Sequence, residues 1–597
     1  MSMENMLCNL GVFDIPVIQM QPHFNVDLLD SNTIVFGSAM SGKSTFLKNL
    51  INILHKQYHE KNEQIFILDF GGALAEYQQL PLVAAYFDNS NEEYVKRVFK
   101  ILDNILKNNI KVLNGKNFRD SQDQPIHTTF IIDNLNAFLD EPRYSTYRDK
   151  LAKLCRDGLS KGISIVVTAV DTKGTSSLMG TFKQKIAFEM PADKYSEIFN
   201  GKVDQIGNNP GHGFANVTVK IPHVTGAFRM NLPYEVQCRF PYDEKKAEKT
   251  NTVEDFHSNL RKKFGFEDGK YLRSVQKYQT FPKELTTEAF EKLKQNPPME
   301  GMQSHPTISV GLDYVDFYPV TVNPKESSVI AIYGKKEFGK TNLLRLLLRG
   351  VLQQEKDARL VFVDDGRKQL EGFYDEYRKQ RDCVYFNGFA EETLVVSSGK
   401  PGSAAPRPGP VPVKTPPAEQ KLTKKLSPLQ RFCLYLNQHY LELPDNFLVN
   451  LFFTEKRESI LHPNQKYEYG ETPFTVFVIQ SKLAYLNTRE GKHFMESILP
   501  RMAAVAEDNK YLFIFSDVQK INEADTNSVF NNAIHTAFLL DNIAEFAGER
   551  GQKTVFGNMD VKALKEDYAR CELGDGYYYD IEADRLLKVK YIKAGED

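Results

Sequence analysis

Two short segments of this chain obey one pattern, Gly-x-x-x-x-Gly-Lys-Ser/Thr, and each lies between an apolar run and a leucine-rich one. The first comprises Gly37, Ser38, Ala39, Met40, Ser41, Gly42, Lys43 and Ser44, with Thr45 following. The second comprises Gly334, Lys335, Lys336, Glu337, Phe338, Gly339, Lys340 and Thr341, with Asn342 following. A strand, a glycine turn and a helix in that order let successive backbone N–H groups converge on one point, where the helix N-terminus adds positive potential. Such a point cradles phosphate, so both segments are expected nucleotide ligands. The flanks repeat too. LGVFDIPVIQMQ from Leu10 answers VGLDYVDFYPVT from Val310, and NPGHGFANV from Asn209 answers LGDGYYYD from Leu573. A repeat on this scale decides the architecture: two copies of one α/β domain.

The copies are expected at residues 1–255 and 301–597. Between them, 256–300 is charged, helix-compatible and ends in KQNPPMEGM, where proline and glycine mark a boundary. A second break, SSGKPGSAAPRPGPVPVKTPPAEQK from Ser397, interrupts the second copy. Its composition predicts a disordered loop over 397–427, read as a solvated insertion ahead of a proline-rich docking peptide. Lysine plus arginine (75) nearly balances aspartate plus glutamate (77), so overall charge makes no case for nucleic acid. Cys8, Cys155, Cys238, Cys383, Cys433 and Cys571 are scattered without a CxxC pair, which leaves zinc and disulfide frameworks without support and fits a reducing compartment. The start has no basic stretch followed by a long apolar run, and no run of about 18 apolar residues occurs.

In the first copy the chemistry is nearly complete. Lys43 is expected to reach the β- and γ-phosphates, and the Ser44 hydroxyl to ligate Mg2+. HTTFIIDNLNAFLD supplies a second metal ligand: residues 128–132 read as a buried strand with Asp133 at its carboxyl end. An aspartate there also suits as a cap for the next helix, and both readings stand. Lys43 and Asp133 are the catalytic candidates, Ser44 and Asp133 the Mg2+ ligands. Asn134 follows where a fast ATPase places a glutamate; an amide cannot accept a proton from water, so hydrolysis is expected to be slow. Asp69 and Thr168 fall at strand carboxyl ends, where ligands of open α/β sheets gather. Thr168 reads equally as a γ-phosphate sensor and as a plain strand-end residue.

The second copy keeps the frame and loses parts. Phe338 stands where a small residue would give the loop most room, and RLVFVDDG ends in Asp364 and Asp365. TPFTVFVIQSKLAYL reads as the counterpart of the Asp133 strand, with Gln480 at the acid's place and Ser481 next. A neutral amide cannot replace a carboxylate beside a metal. Either nucleotide is held there as a structural or regulatory ligand, or the site is kept for packing alone. Tyr577, Tyr578 and Tyr579 fit either a peptide-binding surface or a strand packed on its own sheet, and His212 reads as a turn residue.

At these residues the chain resembles the FtsK/SpoIIIE class of P-loop ATPases, and within it the tandem modules of type VII (ESX-like) protein-secretion motors. LGVFDIPVIQMQ looks like the family's Gly-hydrophobic-x-Asp-x-Pro lead-in, NPGHGFA like its glycine turn and LPYEVQCRFPY from Leu232 like its closing segment. The resemblance covers both copies, from about residue 7 to the end. It implies two tandem P-loop NTPase (RecA/FtsK-like) domains with mostly parallel sheets flanked by helices, binding ATP and Mg2+. It further implies membrane-anchored motors, working as hexamers or strings of domains at the cytoplasmic face, whose C-terminal modules dock secretion substrates. The expected partners are small helical-hairpin secreted proteins and other ATPase modules or subunits of the motor. Without the membrane segments, forkhead-associated domains and first ATPase module of full-length members, the chain is expected to be a fragment or a separate subunit. The arginine that family motors carry after the magnesium strand is not clear in CRDGLSKGIS, so Arg156 is not assigned as a trans-acting finger. A DNA translocase of the same class and a non-catalytic nucleotide-binding scaffold are the competing readings.

Overall fold

The computed structural model describes residues 3–16, 19–89, 93–199, 203, 209–217, 233–242, 252–295, 306–334, 336–388, 427–440, 473–480, 494, 498, 511–516, 534–540, 571–583 and 585–595. The chain divides into two units, the first built chiefly of Met1–Pro282 and the second starting at Lys283. The first holds β1 (Leu7–Asp14), β2 (His23–Asp27), β3 (Thr33–Phe36), β4 (Glu63–Asp69), β5 (Val83–Asp88), β6 (His127–Asp133), β7 (Ile163–Ala169), β8 (Gln184–Phe188), β9 (His212–Asn216) and β10 (Tyr234–Cys238). A two-stranded hairpin, β11 (Phe266–Glu267) and β12 (Lys270–Tyr271), lies apart from that sheet. The second unit holds β13 (Ile308–Asp313), β14 (Pro319–Val322), β15 (Val329–Gly334), β16 (Arg359–Asp364), β17 (Cys383–Asn387), β18 (Thr475–Gln480), β19 (Tyr511–Ser516), β20 (Thr536–Leu540), β21 (Asp575–Asp580) and β22 (Arg585–Tyr591).

The strand orders are β2-β1-β10-β9-β8-β3-β7-β6-β4-β5 and β14-β13-β22-β21-β20-β15-β19-β18-β16-β17, the same path drawn twice. In each sheet the run from β8 to β5, or β20 to β17, is parallel, and the remaining strands pair antiparallel. The central parallel strands are buried along their whole length, as in β7 (ISIVVTA) and β18 (TVFVIQ), which is what helices on both faces of a sheet require, while the edge strand β17 is mostly half-buried. Those helices are α1 (Lys43–Gln57), α2 (Glu93–Leu113), α3 (Leu135–Asp140), α4 (Ser145–Lys153), α5 (Ala192–Phe199) and α6 (Val253–Phe264) in the first unit. The second carries α7 (Thr287–Leu293), α8 (Lys340–Gln354), α9 (Glu371–Tyr377) and α10 (Pro428–His439). α1 buries Phe46, Leu47, Leu50, Ile51 and Leu54, and α8 buries Leu343, Leu344, Leu347, Leu348, Val351 and Leu352, each a single apolar stripe at helical spacing.

The stretch 256–300 divides between the units. Thr252 and Asp255 form a capping box, and Phe256, Leu260 and Phe264 enter the core of the first unit. Lys263 Nζ donates to the carbonyls of His55 (2.9 Å), Lys56 (3.1 Å) and Tyr58 (2.6 Å), closing the C-terminus of α1. Half-buried Lys277 donates to Leu80 O and to Val83 O at 2.7 Å. Residues from Lys283 onward, with α7, go to the second unit. Of the proline-rich span 397–427, residues 397–426 lie outside the described residues, and Ser427 N-caps α10.

The shared path makes one demand on sequence at the same point in both copies. A Cβ on Gly213 would stand 2.4 Å from Ala187 O, and one on Gly576 would stand 2.5 Å from Leu539 O. Gly213→Ala is expected to destabilise the first unit by about 2 kcal/mol through this overpacking. A denaturant melt followed by probes in each unit checks it, the second unit's transition staying in place. Burial also pulls Lys277 down from 10.5 to about 8. The unfolded chain therefore binds more protons than the folded one between those values, so stability rises as pH climbs through that window. Lys277→Met is expected to flatten this rise, read as denaturant midpoints at both ends of the window.

Candidate nucleotide-binding sites

β3 (TIVF) is buried throughout and delivers the first loop to the carboxyl edge of the sheet. There Gly37 N donates to Ala169 O (3.2 Å) and Ser38 N to Glu189 O (2.8 Å), hanging the loop from the ends of β7 and β8. Met40 and Gly42 take positive φ (62° and 108°), as do Glu337 and Gly339 (70° and 99°) in the second loop. Both loops thus bend as the anion-binding nests of P-loops do. Lys43 Nζ lies across the first loop, donating to Gly37 O (2.5 Å) and Ser38 O (2.6 Å). Burial lowers the Lys43 pKa, with Asp133 and Glu189 pulling the other way. Ala39 and Met40 are exposed at the tip, and Thr45 is half-buried on α1.

Asp133 ends β6 as a buried carboxylate. Its Oδ1 accepts from Thr168 Oγ1 (2.5 Å) and its Oδ2 from Ser44 Oγ (3.4 Å). A Cβ on Gly71 would stand 2.6 Å from Asp133 Oδ2, so that oxygen faces space a larger residue would fill. A buried acid, a hydroxyl facing it and a lysine over a nest are hard-oxygen and cationic groups of the kind that fit Mg2+ with a polyphosphate. Burial raises the Asp133 pKa and nearby Asp69 adds to the rise, while the Thr168 bond, Lys43 and Ser44 oppose it.

The structure separates residues that the sequence groups together. Asn134, not Asp133, caps α3: its side-chain oxygen accepts from Ala137 N (3.4 Å) at φ 67°. Thr168 acts on the acid, and its Oγ1 also accepts from Asn134 N (2.8 Å). Asp69 reaches the same edge but organises a turn, accepting from Gly71 N (2.9 Å), Gly72 N (2.7 Å), Leu74 N (2.8 Å) and Tyr86 OH (3.0 Å). Arg156 is exposed on the turn leading into β7 and pairs with Asp157 (2.9 Å). Two supports escaped the sequence reading. Glu189 faces Lys43 electrostatically, and Gly211 N donates to Ser41 O (2.8 Å) so that the NPGHG turn braces the loop. The glycine turn was visible as a motif, but nothing in its residues says what it touches. His212, expected as a turn residue, is the first residue of β9, paired with Gln237, and stands 3.4 Å from Glu235.

In the second unit Lys340 Nζ donates to Gly334 O (2.7 Å), repeating the Lys43 arrangement. Phe338, at the place of Ser41, packs against the unit's apolar core. Asn342, expected beside nucleotide, is tied instead to the chain end: its Nδ2 donates to Ile592 O (2.8 Å) and its Oδ1 accepts from Ala594 N (2.8 Å). Asp364 repeats Asp69, accepting from Asp365 N (2.8 Å), Leu370 N (2.7 Å) and Tyr385 OH (3.2 Å). Asp69 pairs with Asp133 across β4 and β6, and Val363 pairs with Ile479, so the register puts Gln480 at the acid's place. Its Nε2 donates to Gln369 Oε1 (2.7 Å). Lys335 and Ser481 lie outside the described residues. Tyr577, Tyr578 and Tyr579 are buried within β21, which favours the packed strand over a peptide-binding surface. Among the described residues no helix is long and apolar enough to cross a membrane.

Residues 7–200 match the model of the FtsK/SpoIIIE family. The ESX secretion system protein EccC of Geobacillus thermodenitrificans is 26% identical over 400 residues, 64% of this chain and 25% of that protein. The type VII secretion system protein EssC of Staphylococcus aureus is 21% identical over 376 residues, 60% of this chain and 24% of that protein. The chain thus spans about a quarter of the length of the curated relatives it matches. Among solved structures, ATPases 2 and 3 of EssC from Geobacillus thermodenitrificans superpose with a TM-score of 0.59 at 18% identity, covering 100% of this chain and 98% of that one. ATPases 2 and 3 of EccC from Thermomonospora curvata, in complex with a signal sequence peptide, give 0.57 at 15% identity over 99% and 94%. The fold is therefore two tandem P-loop NTPase domains, and the chain is similar to FtsK/SpoIIIE-class ATPases of type VII secretion.

Because burial lifts Asp133 above the usual carboxylate range, Mg2+-dependent nucleotide binding at the first loop is expected to fail, on acidification, at a higher pH than an ordinary aspartate would dictate. Thr168→Val removes a bond to the charged form and is expected to move that loss higher still, with Thr168→Ser restoring it. Mg2+ titrations of nucleotide affinity across pH, in a chain carrying Lys340→Ala, check both.

Proposed function

We propose that this chain is the tandem nucleotide-binding module of an FtsK/SpoIIIE-class type VII secretion ATPase, cytoplasmic and working at the inner face of the cell membrane within a membrane complex. The observation that carries the reading is the Lys43–Ser44–Asp133 constellation, intact in the first unit and replaced by Gln480 in the second. In the first unit the nest and Lys43 hold the β- and γ-phosphates, and Ser44 and Asp133 hold Mg2+. Held there, the metal would supply positive charge against the phosphate oxygens. Thr168 holds the Asp133 carboxylate in place and favours its charged form against burial. Turnover is weak because Asn134, which follows the acid, is an amide spent on capping α3. Nucleotide binding is coupled to recognition and export of small helical-hairpin secreted proteins. The signal sequence peptide bound by the Thermomonospora curvata protein supports that class of partner, alongside other ATPase modules or subunits of the motor. The balance of 75 basic against 77 acidic residues weighs against DNA as cargo.

Two probes test this, each offered to the full chain with and without Mg-ATP: a labelled helical-hairpin substrate bearing its C-terminal tail, and duplex DNA at physiological salt. Saturable binding of the substrate, lost on removing the tail, with negligible DNA binding, is the expected result. Tight, steeply salt-dependent DNA binding without substrate binding would transfer the chain to the DNA translocases. Residual ATP hydrolysis is expected to vanish with Lys43→Ala. Asn134→Asp, which tolerates the positive φ and restores a carboxylate, is expected to raise turnover about a hundredfold, as a positioned base contributes.

A further inference from the structure

Three neighbouring strands of the first unit carry polar groups toward both ends. Asp69, Asp133 and Thr168 lie toward the carboxyl ends of β4, β6 and β7, and Glu63, His127 and Ser164 lie toward the opposite ends. Glu63, His127, Ser164 and the neighbouring Thr129 are wholly buried. His127 Nδ1 stands 2.6 Å from Glu63 Oε2, and His127 Nε2 stands 2.9 Å from Ser164 Oγ. Thr129 Oγ1 donates to Glu63 Oε1 at 2.5 Å, and Ser164 Oγ donates to Leu28 O in the turn between β2 and β3. A carbonyl has no hydrogen to give, so the single hydrogen of Ser164 is spent on Leu28 and His127 Nε2 brings its own. Nδ1 and Oε2 would repel as two bare acceptors, so one further proton lies between them. The pair therefore holds two protons and no net charge, whichever atom the shared proton favours.

Losing or gaining a proton there would leave an unbalanced charge out of reach of water. Burial raises the Glu63 pKa, with His127 and Thr129 opposing the rise. Burial first, and then the nearby acids, also push the Cys8 thiol and the Tyr58 hydroxyl up, so neither ionises near neutrality. Asp27, whose charge both of those groups feel, pairs with Arg119 at 3.4 Å, and the Phe118 ring meets His127 edge-on. The second copy does without this network. Six residues before Asp69 and Asp133 stand Glu63 and His127, and six before their counterparts Asp364 and Gln480 stand Ala358 and Phe474. Thr129 pairs with Ser164 across β6 and β7, where Val476 pairs with Leu512 across β18 and β19. Ala358, Phe474, Val476 and Leu512 are all buried in the apolar core of the second unit. The shared frame packs with apolar side chains at these places, so packing alone does not account for the polar set.

We propose that the Glu63–His127 pair is a proton-loaded latch: the first unit takes up one proton there when it folds at neutral pH, and mild acid tightens it through a device that the second unit lacks. In the unfolded chain a glutamate and a histidine titrate at about 4.3 and about 6.5. Above the second value the unfolded pair holds one proton, on the imidazole, and the folded pair holds two, so stability falls as pH rises. Between the two values both states hold two protons and the latch adds no slope. Below the first the unfolded pair holds three, so stability falls again as pH drops. The latch ties β4, β6 and β7 to the β2–β3 turn at the sheet edge opposite the glycine loop, and it does not depend on what that loop binds.

The test compares the full chain with its Glu63→Gln variant. A glutamine amide can donate to Nδ1 while its oxygen accepts from Thr129, so the same bonds form with every hydrogen fixed and no proton to take up. Denaturant melts at about pH 7 and about pH 8, followed by probes in each unit, give the unfolding constant of the first unit on either side of one pH unit. Across that step the constant is expected to rise about tenfold more in the parent chain than in Glu63→Gln, the effect of one proton. The second unit's transition is expected to respond alike in both chains. An equal pH response of the first transition in the two chains overturns the inference. Should circular dichroism show that Glu63→Gln does not fold, Glu63→Ala combined with His127→Phe, the residues that the second copy carries, takes its place with the same expectation. If neither variant folds, the frame requires the polar pair for packing and the inference falls.

Discussion

The hydrogen bond from Thr168 to Asp133 joins the ends of two neighbouring parallel strands, and the first site hangs on it. Asp133 is buried, so its charge is costly and every donor aimed at it matters. Thr168 serves both sides of the position: it donates to the acid and accepts the N–H of Asn134. The same hydroxyl therefore sets the carboxylate toward Ser44 and lets Asn134 adopt the left-handed turn that starts α3. Strand order does the rest. With β3, β7 and β6 adjacent and parallel, loop, hydroxyl and acid emerge at one edge without any long excursion of chain.

The second unit shows what the frame needs apart from chemistry. Strand order, the positive φ of Glu337 and Gly339, the lysine turned onto the first loop carbonyl and the Asp364 turn are all kept. What changes is the acid. Backbone geometry is shared by every residue in the sheet and is hard to alter piecemeal, whereas Asp133 and Gln480 are single side chains at a strand end, the second one methylene longer and neutral. The frame tolerates their exchange because Gln480 finds a neutral partner in Gln369.

How far all this could be read from residues alone varies with range. The two glycine loops, their helices and the repeat were legible because each depends on local pattern: apolar strand, turn glycines, stripe of leucines. The replacement of the acid by Gln480 was legible too, since a strand-end position can be counted from the apolar run. Roles set by contacts distant in sequence were not. Asp69 looked like a site residue because it ends a strand beside the loop, yet its oxygens are filled by its own turn and Tyr86. Asn342 follows the motif but answers to residues 592 and 594. Asn134 could be read as an amide beside the acid, from which slow hydrolysis was expected, but its service as a helix cap appears only in three dimensions.

The stretch 256–300 was expected as a connector, and the first unit uses the part up to residue 282 as a clamp. Lys263 grips the last carbonyls of α1, whose first residues are Lys43 and Ser44. α1 is a fifteen-residue rod, about 22 Å long at the rise of an α-helix. One end of the rod is anchored by the clamp and the other carries Lys43 and Ser44, the groups proposed to face phosphate. Lys277 fastens the same stretch to the segment entering β5. A pull on the chain beyond residue 282 therefore meets the bonds of Gln279 to Arg97, of Tyr278 to Ala84 and of Lys277 before it meets Lys263, so the rod and its glycine loop are the last to be loaded.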